Sequence, residues 1–356
     1  MQKFMLLVCA LVVAGGTYAQ ESKTFKTKFS GANKRVIMDI DAKQLDIEGY
    51  SGDEIIVEAL NVPNVPKEAD GLRPLSAAGV DNTNIGLSTN VTGDVLKITV
   101  VMKGKALYKM KIPKELGLVV KKRNSCSCNE TGMSISSMEG SIEVNTNYEA
   151  ITLTNVTGPV VANSSQGEIK VIYDDKMPDK PSSIVSYGGN IDVSVSEKAK
   201  VLFSISSSDG NMFTDLDLKP YIPDAKALEE EKKVAEELRN NATAAKRAQY
   251  DRDVTVSGWK SKQDAEIATG QGVQVGSAVG GTIRTTSPAT VVTRGYVSDD
   301  NVIVANGQNG VFYSYSDGQY KLWDSDRNAP RYVLNDPQTK VSIRATRGNV
   351  YLRKKK

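Results

Sequence analysis

The chain has 356 residues, 45 basic and 42 acidic side chains, and a formal net charge of +3. A balance so near neutral, without a concentrated basic face, argues against a nucleic-acid footprint. Histidine is absent, which removes the commonest general base, the usual zinc ligand and every Ser/His or Cys/His nucleophile pair.

Residues 1–19 read as a secretory signal: Lys3 gives a positive start, Met5 to Ala14 an apolar run, and Thr17-Tyr18-Ala19 a small-residue cleavage site. The run is too short for a bilayer span, and no later stretch reaches the length a transmembrane helix needs. The expectation is export to the periplasm or cell surface, with no transmembrane segment after signal removal.

From residue 20 to 218 one phrase recurs: a starting residue, then apolar residues two and four positions later. It appears at Lys34 (Val36, Met38), Lys43 (Leu45, Ile47) and Asp53 (Ile55, Val57), then regularly at Thr131, Gly140, Glu149, Gly158 and Gly167, nine residues apart. Gly189, Ala199 and Gly210 continue it, and Gly348 (Val350, Leu352) repeats it at the end. Alternation of this kind marks half-buried strands, and fixed self-similarity marks a repeat architecture. The fold class expected is mainly β: a single-stranded β-solenoid or β-helix, about nine residues per strand and ~18 per two-strand coil. Three-sided coils are the alternative. Three residues before the starts stand Ser137, Thr146, Asn155, Ser164, Ser186, Ser196 and Ser207, small polar residues suited to corners.

Two stretches interrupt the first block. Residues 61–93, with Pro63, Pro66 and Pro74, read as a cap over the first coil or as a functional loop, and Asp174 to Pro181 as a side loop. Residues 219–253 form a charged helical insertion, with Leu228, Ala235, Leu238, Ala242 and Ala245 at helical spacing; it either packs this narrow stripe on the repeat or serves as a partner-binding arm. Residues 254–340 form a second insertion, Gly/Ser/Thr-rich, then aromatic and β-rich. There Tyr296, Phe312, Tyr313, Tyr315, Tyr320, Trp323 and Tyr332 gather, as a candidate binding surface or as the core of a small subdomain. Residues 341–356 return as a closing strand with a basic, solvated tail.

Little of this invites chemistry. Projecting the frame backwards places Cys126 with the core residues Ile135, Val144 and Leu153, and Cys128 with the corners Ser137 and Thr146. The alternative is a strained Cys126–Cys128 disulfide, which an oxidising compartment favours. Glu143, Glu168, Asp192, Asp215 and Asp217 are outward-facing acids without a recognisable motif. No catalytic, cofactor or metal residues are assigned.

Several phrases resemble a known family. Gly158-Pro159-Val160-Val161-Ala162-Asn163, Gly167-Glu168-Ile169-Lys170-Val171, Gly189-Asn190-Ile191-Asp192-Val193, Phe213-Thr214-Asp215-Leu216-Asp217-Leu218 and the closing Gly348-Asn349-Val350-Tyr351-Leu352 are similar to the exported bacterial DUF4097 "putative adhesin" β-strand-repeat family. The resemblance covers most of residues 29–218 and the last fifteen or so, and implies a β-solenoid of the cell envelope. It brings no catalytic residues. The functional expectation is a non-catalytic envelope or surface scaffold, not an enzyme, that binds a protein or glycan. The alternatives are a structural periplasmic protein without a ligand, or a polysaccharide-acting β-helix enzyme.

Overall fold

A computed structural model describes residues 22–77, 79–102, 104, 106–122, 132–223, 225, 229, 233, 296–298, 301–306, 311–316, 319–324 and 329–356. Cys126 and Cys128, and nearly all of the expected helix, lie outside the described residues.

The first part of the chain forms β1 (Ser22–Lys28), β2 (Arg35–Asp39), β3 (Gln44–Tyr50), β4 (Glu54–Leu60), the short β5 (Leu75–Ser76) and β6 (Gly79–Val80), then β7 (Leu87–Thr92), β8 (Val95–Val100), β9 (Leu107–Pro113) and β10 (Gly117–Lys122). The regular block gives β11 (Gly132–Ser136), β12 (Ile142–Thr146), β13 (Ala150–Val156), β14 (Val160–Ser164), β15 (Ile169–Tyr173), β16 (Ser182–Ser186), β17 (Ile191–Val195), β18 (Val201–Ser207), β19 (Met212–Thr214) and β20 (Lys219–Pro220). Further along come β21 (Tyr296–Ser298), β22 (Asn301–Asn306), β23 (Val311–Ser316), β24 (Gln319–Asp324), β25 (Arg331–Leu334), β26 (Thr339–Ala345) and β27 (Val350–Lys354).

Two long, mainly parallel sheets hold most of these strands. Sheet I runs β1-β4-β9-β3-β11-β13-β15-β17-β27-β19, and sheet II runs β20-β25-β18-β26-β16-β14-β12-β10-β2-β8-β7. From β8 to β19 the chain alternates between them, so each rung is one strand of sheet II followed by one of sheet I. The two apolar residues of each phrase point inward, and one continuous cluster fills the space between the sheets: Leu118 and Val120, Ile142 and Val144, Ile151 and Leu153, Ile169 and Val171, Ile191 and Val193, all essentially inaccessible. Each such side chain contributes about 1.5–3 kcal/mol of burial, so the phrase is also the unit of stability.

The rungs are not stacked in chain order. Rung β2–β3 lies between β8–β9 and β10–β11, and the last rung, β26–β27, lies between β16–β17 and β18–β19. The rungs β2–β3 and β26–β27 are therefore each held one layer inside the stack. Antiparallel strands finish the sheets: β4 and β1 on sheet I, β7 on sheet II, β25 and β20 at the far end of sheet II. The phrase at Ile55 and Val57 is thus a reversed capping strand, not another rung. Residues 61–93 contribute to the same closure: Asp81 Oδ1 accepts the amides of Thr83 and Asn84, its Oδ2 accepts that of Gly86, and this knot seats Ile85 and Leu87 in the core.

The corner reading of the small polar residues is borne out for several of them. The hydroxyls of Ser164, Ser186 and Ser207 accept the amides of Gly167, Gly189 and Gly210, each three residues on. The hydroxyls of Ser186 and Ser207 also donate to the carbonyls of Gly167 and Gly348 in the adjacent rungs. The glycines form a second device. A Cβ on Gly167, Gly189, Gly348 or Gly210 would meet the carbonyl of the rung before it, in the order Glu149, Gly167, Gly189, Gly348. Close backbone approach, not left-handed geometry, requires glycine here.

Val120 pairs with Val144 and Lys122 with Thr146, so these residues take the core and corner positions of that rung, where the nine-residue frame counts back to Cys126 and Cys128, which lie outside the described residues. The 24 residues separating Val120 from Val144 exceed the 18 of the regular block, which is why a fixed nine-residue frame fails on crossing this corner. Lys122 is completely buried, as is Glu149. Burial lowers the Lys122 pKa, opposed by the charges of Glu149 and Asp41. Lys122 Nζ and Glu149 Oε1 have no hydrogen-bond partner among the described residues.

Candidate binding surface

The outward positions of sheet I form a ladder across the strands: Lys109, Asp46, Ser134, Thr152, Lys170, Asp192, Tyr351 and Phe213 occupy consecutive strands in register. Over most of its length this row is small or charged, exposed at Lys109 and Lys170 and half-buried at Asp46, Ser134, Thr152 and Asp192. At the β17–β27–β19 end it becomes aromatic.

There the rings of Tyr351 and Phe213 lie 5.5 Å apart between centroids at 14°, an offset-stacking separation. The Arg353 guanidinium packs 5.0 Å from the Tyr351 centroid, while its Nε donates to Asp192 Oδ2 at 2.9 Å. Asn349 Nδ2 donates to the Tyr351 hydroxyl at 3.1 Å. Two strands far apart in sequence thus present one braced aromatic step. Phe213 remains 51% exposed and the adjacent Met212 44%. A second braced ring stands at the neighbouring corner, where Arg347 lies 4.9 Å from the centroid of the exposed Tyr187.

The backbone beneath this surface is held by an asparagine ladder. Asn190 Oδ1 accepts the amide of Asn349, and Asn349 Oδ1 accepts the amide of Asn211, both at 2.9 Å. Asn190 Nδ2 donates onward to Glu168 Oε1. Each Gly-Asn start therefore supplies close backbone approach through the glycine and a rung-to-rung tie through the asparagine. A rigid platform follows, because main-chain groups fix the side chains that carry it.

The sequence-predicted aromatic group is divided by the structure. Tyr296, Phe312, Tyr313, Tyr315, Tyr320 and Trp323 lie on the antiparallel meander β21–β24, where Phe312 is opposite Trp323 and Tyr315 opposite Tyr320. Tyr332 lies elsewhere, on β25 in the cap of sheet II, opposite Phe203 and partly buried against the core.

The acidic candidates are not brought together. Glu143 is on the outer face of sheet II and buried, not exposed, and burial raises its pKa to about 7. Asp192 pairs with Arg353, Asp215 accepts the Lys354 amide, and Glu168 accepts from Asn190. The basic tail is likewise tied down: Lys354 reaches Glu197 at 2.8 Å, and Lys355 reaches Asp174 and Asp175 at 3.2 and 3.4 Å. Among the described residues no group of three or more acidic or cysteine side chains is placed to hold a metal ion, and no helix is long and apolar enough to cross a membrane.

Sequence reasoning missed Tyr351, Phe213, Arg353, Tyr187 and Arg347. The available signal was an aromatic side chain at the outward third position of a phrase, where other phrases carry Thr152, Lys170 or Asp192. Its force depends on Tyr351 and Phe213 being neighbours, which the rung order alone supplies.

No protein-family model matches the chain, so the likeness to the DUF4097 family rests on the phrases quoted above. No curated protein matches it. Among solved structures, the crystal structure of a "putative cell adhesion protein" from Clostridium sporogenes aligns over 94% of this chain and 100% of its own, at 9% identity and a TM-score of 0.34.

Proposed function

We propose that this protein is an exported, non-catalytic β-solenoid scaffold of the cell envelope, of the kind the DUF4097 family comprises, and that it binds a glycan on the outer face of sheet I. The observation that carries the reading is the Tyr351–Phe213 step, stacked, braced by Arg353 and exposed at Phe213. Flat aromatic faces ringed by hydrogen-bonding groups suit the apolar faces and hydroxyl edges of sugar rings. Asn349, Asn190, Glu168, Asp192 and Lys170 supply those groups around it. A glycan is favoured over a protein because the apolar part is small and surrounded by charge, whereas a protein interface of standard size centres on a larger, charge-depleted core.

Export rests on the N-terminal signal pattern, and the non-catalytic reading on the dispersed acids. Each has its own test. Protease added to intact cells cleaves the protein if it is displayed on the surface and leaves it whole if it is periplasmic. Incubation with a panel of polysaccharides and added calcium gives no turnover. For binding, the chain lacking residues 1–19 is titrated against defined glycans, with Phe213→Ala/Tyr351→Ala as comparison. A ligand bound equally by both forms removes this surface from the proposal.

A further inference from the structure

The two sheets end out of step. Beyond the rung β8–β9, sheet I continues for two strands, β4 and β1, and sheet II for one, β7. Beyond the rung β18–β19, sheet I stops while sheet II continues for two, β25 and β20. The stack therefore carries an overhang of sheet I at one end and a recess of the same sheet at the other. The inner sides of both steps are incompletely covered: Phe25 on the overhang, and Leu218 and Tyr332 at the recess, are only partly buried against the core.

The strands that border the steps are free edges, since no described strand pairs with the outer side of β1 or of β19. The Phe29 amide donates to the Asp53 carbonyl, so by the alternation of an antiparallel ladder Thr24, Lys26 and Lys28 turn their main-chain groups to the open edge. On β19 the Asn211 carbonyl and the Asp215 amide are bound to β27, which leaves the main-chain groups of Met212 and Thr214 facing outward. All five residues are exposed. Strand direction agrees as well. β1 is antiparallel to β4 and β4 to β9, so β1 runs the same way as β9 and the parallel strands that lead from it to β19. A copy translated along the stack presents its β1 to β19 as one more parallel strand.

We propose that the protein associates head to tail with a second copy of itself, β1 of one chain entering the recess beside β19 of the other and continuing sheet I across the joint. Main-chain pairing of this kind is strand addition to an exposed edge. Charge selects the pairing: β1 carries Lys23, Lys26 and Lys28 and no acid, whereas the exposed Asp209, Asp215 and Asp217 flank β19. Two β1 edges would set lysine against lysine, a device that keeps edge strands from pairing with their own kind, and two β19 edges would oppose aspartates. The contact is heterologous, and a translation leaves it open-ended. It does not depend on the glycan reading, because it uses main-chain edges and charged flanks, whereas that reading uses the outward ring faces of Phe213 and Tyr351.

Sedimentation velocity of the chain lacking residues 1–19, at rising concentration in low salt, tests the association. The wild type is expected to give masses at successive multiples of one chain, returning toward the monomer as added salt screens the lysine–aspartate attraction. Thr24→Pro and Met212→Pro each remove an outward-facing amide and leave the pairing with β4 or β27 in place, and each alone is expected to remain a monomer. Mixed in equal amounts they should form a dimer and nothing larger, because one retains its β19 edge and the other its β1 edge. That dimer also shows that both variants fold. A wild type that stays monomeric throughout, or a mixture without dimer, would overturn the proposal. Association of Met212→Pro alone would assign a two-fold pairing through β1 and overturn it equally.

Discussion

Gly189→Ala tests the stacking directly. Gly189 opens the phrase of β17, and a Cβ there would meet the carbonyl oxygen and carbon of Gly167 and the amide nitrogen of Glu168. All three are main-chain atoms, fixed by the parallel pairing of β15 with β17 through Ile169 and Ile191, so no side chain can swing aside. Relief requires one rung to move away from the other, which strains the adjoining contact of Gly348 on Gly189 as well. Overpacking of this kind costs about 1–3 kcal/mol, and a backbone obstacle places the cost at the upper end, ~3 kcal/mol. At about 2–4 °C per kcal/mol for a chain approaching this size, the expected fall in Tm is about 6–12 °C. The control is Gly132→Ala on β11, where a Cβ would meet nothing within 4 Å and the change should stay within about 0.5 kcal/mol. Urea and thermal unfolding followed by circular dichroism read both. If the two variants melted together, the close-approach argument would be refuted, and the glycines would have to be explained by chain flexibility.

The remaining expectations concern charge and ladder. Burial raises the Glu143 pKa from 4.5 to about 7, so between those values the folded chain holds a proton the unfolded chain has lost, and stability falls as pH rises through that window. Glu143→Gln should remove this fall and gain about 3 kcal/mol on the wild type between pH 4 and pH 8; parallel stability curves would contradict it. Lys122→Met removes a buried cation but leaves Glu149 buried without its opposing charge, so the single change should cost about 3 kcal/mol and Lys122→Met/Glu149→Gln should recover most of that. Full additivity in the double-mutant comparison would show that the two charges do not interact. Asn349→Ala deprives the solvent-exposed Asn211 amide of its acceptor and should cost about 0.5–1.5 kcal/mol, with faster hydrogen exchange at β19 than at β15; uniform exchange would contradict the ladder.

Much of the architecture was legible because a period of two forces it. Ile142 and Val144, or Ile191 and Val193, can share a buried face only as strand residues, and the serines three positions before Gly167, Gly189 and Gly210 had little to do except turn the chain. The order of the rungs was not legible. Nearly identical phrases can pair with one another in many parallel arrangements, and nothing in Val350 and Leu352 distinguishes a place after Met212 from one between Val193 and Met212. The long corner after Lys122 defeated the register for a related reason: a frame counts residues, whereas pairing counts strands. The aromatic step was hidden for the same cause, because Phe213 and Tyr351 become neighbours only through the inserted rung. Clustering in sequence pointed instead to residues 296–332, from which Tyr332 departs to cap sheet II.

Sheet I, with its aromatic step at one end, is the feature on which the proposed function stands. The most direct test is equilibrium binding of the chain lacking residues 1–19 to a panel of purified cell-surface glycans, with Phe213→Ala/Tyr351→Ala and the sheet II control Asn163→Ala measured alongside. Loss of a central aromatic anchor typically costs 2 kcal/mol or more, so the account predicts a glycan whose affinity falls by about thirtyfold in the aromatic variant and is unchanged in the control. A glycan bound with equal affinity by all three proteins, or no binding across the panel, would contradict it.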